Sequence, residues 1–88
     1  MAKVEIYTKA TCGYCWRAKA LLDQKNIPYT EFAVDFGGSV KQTMITRANG
    51  RTTVPQIFID ERHVGGCDDL LELDRSGRLE ALVGAAGE

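Results

Sequence analysis

The stretch TKATCGYCWRAK, Thr8 to Lys19, sets two cysteines two residues apart, and its surroundings place the pair at a seam in the chain. Upstream, KVEIYT (Lys3 to Thr8) alternates polar and apolar residues, with Val4 and Ile6 on one side and Lys3 and Glu5 on the other. That is the period of a strand. Downstream, Tyr14, Ala18, Leu21 and Leu22 recur at helical spacing, while Arg17, Lys19, Asp23 and Lys25 face away. Asn26 ends the helix and Pro28 forbids its continuation. YTEFAV (Tyr29 to Val34) is a second strand. Strand, helix and strand with short connections predict a right-handed βαβ unit with parallel pairing, and Cys12 falls where its first strand gives way to its helix.

The remainder continues the pattern. DFGGS (Asp35 to Ser39) is a turn. A second helix is expected from Ser39 to Ala48, with Val40, Met44, Ile45 and Ala48 inward and Met44 as core filler. Asn49–Gly50 closes it. QIFI (Gln56 to Ile59) is a short strand, Asp60 to Arg62 turns the chain, and His63–Val64 begins a return strand. Gly65–Gly66 breaks the pattern before a helix led by Asp68 and Asp69 and carrying Leu70, Leu71 and Leu73. Gly77 interrupts, Leu79, Leu82 and Val83 suggest one or two further helical turns, and GAAGE (residues 84–88) reads as a frayed tail. The order β-α-β-α-β-β-α, without repeats or a linker, predicts one α/β domain over residues 1–88, a sheet with helices on its faces.

Composition narrows the function. At 88 residues the chain suits one small domain, and 44% hydrophobic with 26% charged residues is ordinary globular usage. A net charge of -1 offers no basic field for nucleic acid. Lys41, Arg47 and Arg51 read as a solvated scatter. MAKVEIYTKA is broken by charge from its third residue, unlike a secretory signal, and no apolar run reaches membrane-spanning length. The expectation is a cytoplasmic protein that engages neither membrane nor nucleic acid. In a reducing compartment a permanent disulfide is disfavoured, which leaves metal or redox chemistry for the cysteines.

Redox chemistry needs a thiolate. At a helix start, unpaired backbone N–H groups and the dipole favour a negative sulfur. Lys9, three residues upstream of Cys12, adds a cation, with Arg17 a more distant contributor. Cys12 at the helix start is the attacking sulfur, and Cys15, one turn on and drawn inward, resolves. Gly13 and Tyr14 between them allow the tight turn and leave a flat aromatic rim. Zinc is the competing reading, with Cys12-x2-Cys15 and His63-x3-Cys67 as two half-sites. The 47 residues between Cys15 and His63, which encode their own strands and helices, weigh against it. Singly, His63 reads as a hairpin residue, Cys67 as a small buried hydrophobe, Trp16 as a packing or surface residue, and Asp68 and Asp69 as helix caps that also suit a ligand.

Taken together, YTKATCGYC (Tyr7 to Cys15), RTTVPQIFI (Arg51 to Ile59) and GGCDDL (Gly65 to Leu70) resemble the short bacterial dithiol glutaredoxins. The likeness runs from Val4 to about Leu82. It implies a thioredoxin-like fold with a central four-stranded mixed sheet, and a glutathione-dependent disulfide oxidoreductase acting on glutathionylated or disulfide-bonded proteins. It implies a cis peptide before Pro55 within Thr53-Val54-Pro55, with the Val54 backbone presented to an extended peptide. It implies a glutathione site in which Lys9 meets the glycine carboxylate and the N–H groups of Cys67 and Asp68 meet the γ-glutamyl carboxylate. Asp68 or Asp69 meets the ammonium, Tyr14 packs along the tripeptide, Gly65 and Gly66 allow close approach, and Gln42 or Arg51 adds a contact.

One departure stands out. Gly13 occupies a position that is usually proline in this family. Some relatives with a small residue there bind a [2Fe–2S] cluster between two protomers, through the first cysteine of each and two glutathiones. A cluster-bound dimer through Cys12 is therefore the alternative to a monomeric reductase.

Overall fold

The structure, a computed structural model, describes residues 2–84. The elements run β1 (Val4–Thr8), α1 (Gly13–Gln24), β2 (Thr30–Ala33), α2 (Gly38–Arg47), β3 (Gln56–Ile59), β4 (Arg62–Gly65), α3 (Cys67–Arg75) and α4 (Arg78–Val83). The expected order holds, and the last helical turns form a separate helix. Gly77, at φ 77°, reverses the chain between α3 and α4. Of the tail read as frayed, Gly84 caps α4, and the rest lies outside the described residues.

The four strands form one mixed sheet in the order β2-β1-β3-β4. β1 pairs in parallel with β2, as the βαβ reading requires, and antiparallel with β3. β3 and β4 form the predicted hairpin, turned by Asp60 and Glu61 at φ 49° and 70°. Positive φ at both central residues matches the right-handed twist of the strands. Asn26 and Asn49, at φ 58° and 57°, end α1 and α2 in the left-handed conformation that asparagine tolerates. No helix among the described residues is long and apolar enough to cross a membrane.

Two apolar clusters sandwich the sheet. Val4, Ile6, Ile57 and Ile59 pack with Ala18, Leu22, Leu70, Leu79 and Val83 from α1, α3 and α4. On the other face Tyr7 and Phe58 pack with Met44 and Ala48 of α2. This second face corrects one expectation. The alternation of β1 set Glu5 on a polar side, yet every residue of β1 is buried. Glu5 lies under α2, where Arg47 Nη2 donates to its carboxylate at 2.7 Å and Arg47 Nη1 donates to the Tyr7 hydroxyl at 3.0 Å. Arg47 is therefore no part of a solvated scatter. Its guanidinium sits 4.1 Å over the Phe58 ring and closes the α2 face. Val40, expected inward on α2, is exposed.

A second polar knot fastens β2 to β1 and α1. Thr8 Oγ1 donates to Glu31 Oε2 at 2.6 Å, and Lys19 Nζ reaches the same oxygen at 2.9 Å. The Thr8 hydroxyl, then Lys19, hold the Glu31 carboxyl below the usual glutamate range. A carboxyl depressed by folding stabilises the protein above its unfolded pKa, and that contribution is lost as pH falls through the folded value.

Two predictions follow from these contacts. The difference in melting temperature between wild type and Glu31→Gln is expected to be largest near neutral pH and to shrink as pH falls below the ordinary glutamate range; thermal melts across that range check it. Gly65, at φ 121°, adopts a backbone conformation closed to side chains, and a Cβ there would run into the Asp69 carboxylate. Gly65→Ala is expected to cost about 1–3 kcal/mol, measured by urea unfolding.

Candidate active site

The redox pair is arranged by the first turn of α1. Cys12 is the residue before the helix, at φ −96° and ψ 113°. Its carbonyl accepts the first helical bond, from Trp16 N–H at 3.3 Å, and its sulfur accepts the Cys15 N–H at 3.3 Å. The sulfur thus does what a serine or aspartate oxygen does at a helix start. The two thiols have opposite surroundings. Cys12 is half-buried and Cys15 is fully buried. Burial, reinforced by the Cys15 S–H bonding toward Cys12, pushes the Cys15 thiol up to about 12. Gly13 leaves open space: a Cβ built there meets nothing within 4 Å.

Two contacts fix the loop before the helix. The Asp35 carboxylate accepts the Ala10 N–H at 2.9 Å, and Trp16 Nε1 donates to the Ala10 carbonyl at 3.2 Å. Trp16 is otherwise exposed, with Lys19 Nζ 4.4 Å from its ring centroid. Tyr14, which helical spacing set on the inner face of α1, is exposed instead. Cys15, Ala18 and Leu22 take the buried stripe, leaving the Tyr14 ring free beside the cysteines.

Across from Cys12 runs the loop entering β3. The peptide between Val54 and Pro55 is cis. Cys12 Sγ lies 3.6 Å from the Val54 carbonyl oxygen. Among the described residues the Val54 N–H has no backbone partner. The next wall is the start of α3, where Gly66 precedes the helix and Cys67 and Asp68 open it. Together these elements bound a cleft of about 310 Å³ lined by Tyr14, Arg51, Thr53, Val54, Pro55, Gly66, Cys67, Asp68 and Asp69.

Nine of the anticipated contact residues, Arg51 among them, thus converge on one cleft, and Cys12 meets its wall at Val54. Lys9 is exposed and does not line it. Gln42 sits apart, on the outer surface of α2 with Ser39, Thr43 and Thr46. Arg51, which composition grouped with a solvated scatter and the family resemblance offered with Gln42 as a further contact, belongs to the cleft wall and lies 3.5 Å from the Asp69 carboxylate. That carboxylate also accepts the Gly66 N–H at 2.9 Å. Asp69 thus caps α3 and holds Arg51, which leaves Asp68 as the acid without a partner among the described residues. Cys67 is buried, and burial raises its thiol above the ordinary range.

His63 is half-buried on β4, stacked on Phe58 with ring centroids 5.1 Å apart. Burial, then the charge of Arg51, holds its pKa below the ordinary histidine value. It bonds to Gln56 and stands apart from Cys12 and Cys15. Among the described residues no three His, Cys, Asp or Glu side chains gather as a metal site.

Comparison with known proteins agrees with this geometry. The Glutaredoxin family profile matches residues 4–64. Glutaredoxin 3 of Escherichia coli is 57% identical over 83 residues, covering 94% of this chain and 99% of the relative. The solution structure of a glutaredoxin from Brucella melitensis superposes with a TM-score of 0.82 at 46% identity, covering 94% of this chain and 89% of that one. The crystal structure of a buckwheat glutaredoxin–glutathione complex gives a TM-score of 0.83 at 33% identity, covering 98% and 80%. A cysteine pair at the tip of α1, a cis-proline loop opposite it and these matches along most of the chain have one reading: the chain belongs to the glutaredoxin family.

Proposed function

We propose that this thiol–disulfide oxidoreductase uses glutathione as its reductant and acts on protein–glutathione mixed disulfides and on protein disulfides. The observation that carries the reading is the placement of one accessible sulfur. Cys12 Sγ takes a helix N–H at 3.3 Å and lies 3.6 Å from the Val54 carbonyl, at the wall of a peptide-sized cleft. The unpaired Val54 edge suits the cysteinyl backbone of an extended tripeptide. The first N–H groups of α3, at Cys67 and Asp68, suit its γ-glutamyl carboxylate. Asp68 is the acid for the ammonium, because Asp69 is already engaged. Lys9, exposed outside the cleft lining, is the cation for the glycine carboxylate, and Tyr14 covers the chain between. That a buckwheat relative was solved as a glutathione complex supports glutathione as the ligand.

The chemistry then runs through two sulfurs. The Cys12 thiolate attacks the glutathionyl sulfur of a mixed disulfide. The substrate S–S bond breaks, a Cys12–glutathione disulfide forms, and the substrate thiolate leaves and takes a proton. A glutathione thiolate then attacks the bound glutathionyl sulfur, releasing glutathione disulfide and the Cys12 thiolate. With a protein disulfide, the Cys12 thiolate attacks one sulfur, the substrate S–S bond breaks and the other sulfur leaves as a thiol; Cys15, after losing its proton, attacks Cys12 Sγ and the second substrate thiol leaves. Two glutathiones reduce the resulting Cys12–Cys15 bridge and depart as glutathione disulfide. In the reduced protein burial keeps the Cys15 thiol protonated, so the first exchange runs through Cys12.

Open space at Gly13 beside Cys12 favours a second reading, cluster carriage. One chain offers a single accessible sulfur, since Cys15 and Cys67 are buried with raised thiols. Four-thiolate ligation would therefore draw its other sulfurs from outside the chain, as in the family's arrangement of two protomers and two glutathiones. Cys12 would be this chain's ligand.

The reductase reading is tested with a glutathionylated peptide and a disulfide-bonded protein, both coupled to NADPH through glutathione reductase. Cys12→Ser is expected to abolish both activities. Cys15→Ser is expected to retain the first and lose the second. An undiminished rate in Cys12→Ser contradicts the assignment. For the cluster reading, anaerobic reconstitution with iron, sulfide and glutathione is expected to give a coloured dimer on size exclusion, and a colourless monomer removes it.

A further inference from the structure

The loop that presents Val54 is held by a side chain buried beneath it. Gln56 is fully buried, at the first position of β3 opposite Tyr7. Its Nε2 donates to the Thr53 carbonyl at 3.0 Å and lies 3.3 Å from the Thr53 hydroxyl. This clamp spans Val54 and Pro55. Because a carbonyl oxygen only accepts, the amide can face Thr53 in one orientation alone, nitrogen first. The amide oxygen must then point the other way, and there it meets His63 Nε2 at 2.6 Å. An amide oxygen cannot donate, so His63 carries its proton on Nε2. The ring is fixed in turn by its stack on Phe58, 5.1 Å between centroids. No buried side-chain polar atom among the described residues is left without a partner.

We propose that His63 is a positioning residue for the substrate-binding edge: its Nε2–H orients Gln56, Gln56 clamps Thr53, and the clamp sets the Val54 groups at the geometry a docked peptide needs. His63 touches neither substrate nor the reacting sulfurs and acts through Gln56. Without the donor, the Gln56 oxygen is left buried and unpaired, and the amide loses its reason to keep one orientation. A flipped amide would set oxygen against the Thr53 carbonyl and open the clamp. Loss of the bond therefore weakens the hold on the peptide without altering the sulfur chemistry. The inference rests on the proposed use of Val54 in binding.

Two substitutions separate donor from ring. His63→Phe keeps the stack and removes the proton, whereas His63→Gln restores an N–H where Nε2 stood. With the glutathionylated peptide, His63→Phe is expected to raise KM about three- to tenfold with kcat held within about twofold, the range expected for one buried hydrogen bond. His63→Gln is expected to return KM to within about twofold of wild type, on the same scale. Gln56→Met, which deletes the clamp itself, is expected to match or exceed the His63→Phe effect. A lowered melting temperature with unchanged KM in His63→Phe and Gln56→Met would make the network structural only and overturn the proposal. The backbone amide NMR shift of Val54 gives a readout independent of turnover: it is expected to move in His63→Phe and to return toward wild type in His63→Gln, and an unchanged shift overturns the proposal. Should wild type show no glutathione-dependent turnover, the binding reading fails, and the Val54 shifts still decide the role of His63.

Discussion

A single hydrogen bond, Cys15 N–H to Cys12 Sγ at 3.3 Å, sets the character of the site. It makes the first sulfur the cap of α1, so that sulfur sits at the helix tip, within reach of the cleft. The same helical turn carries the second sulfur down one step into the space above the core, where burial pushes its thiol up to about 12. Two chemically identical side chains thereby become unequal, one poised at the surface and the other held in reserve. The helix supplies the asymmetry with its backbone, and it needs no dedicated catalytic base.

Each sheet face contributes differently to holding that tip in place. Beneath α1, α3 and α4 the face is dry: Val4, Ile6, Ile57 and Ile59 pack on Ala18, Leu22 and Leu70. It anchors the two helices whose N-termini border the cleft. The α2 face is closed by Arg47, which joins Glu5, Tyr7 and Glu61 and covers Phe58. Phe58 in turn carries the His63 ring. Polar groups buried on this side are paired, as burial requires, and the chain of contacts runs from α2 through Phe58 and His63 to Gln56 at the loop opposite Cys12. Packing on one face locates the helices, and hydrogen bonding on the other orients the loop.

Much of this was legible in the residues. Strand and helix periods gave the element order, and Asn26, Asn49 and Gly77 marked real reversals. The C-x-x-C pair at a strand-to-helix seam set Cys12 at the helix tip, where the structure has it. What misled was local reading of groups whose partners lie far away in sequence. Glu5 looked solvent-facing because its cover, Arg47, comes 42 residues later. Arg47 and Arg51 looked like one charged scatter, yet one closes the α2 face and the other lines the cleft. Tyr14 fitted the helical stripe, but the stripe begins at Cys15 and leaves the ring outside. The difference between Asp68 and Asp69 depended on the Gly66 N–H and on Arg51, neither of which spacing alone assigns. The link between Gln56 and His63 had no signal in sequence beyond two polar residues in adjacent short strands.

The inequality of the two sulfurs is the claim on which the rest stands, and limited alkylation tests it most directly. The reduced protein is treated at neutral pH with less than one equivalent of iodoacetamide, and the labelled cysteine is identified by peptide mass spectrometry. The account predicts that nearly all label falls on Cys12, with Cys15 and Cys67 modified only after unfolding. Label shared evenly between Cys12 and Cys15, or falling first on Cys15, would contradict it.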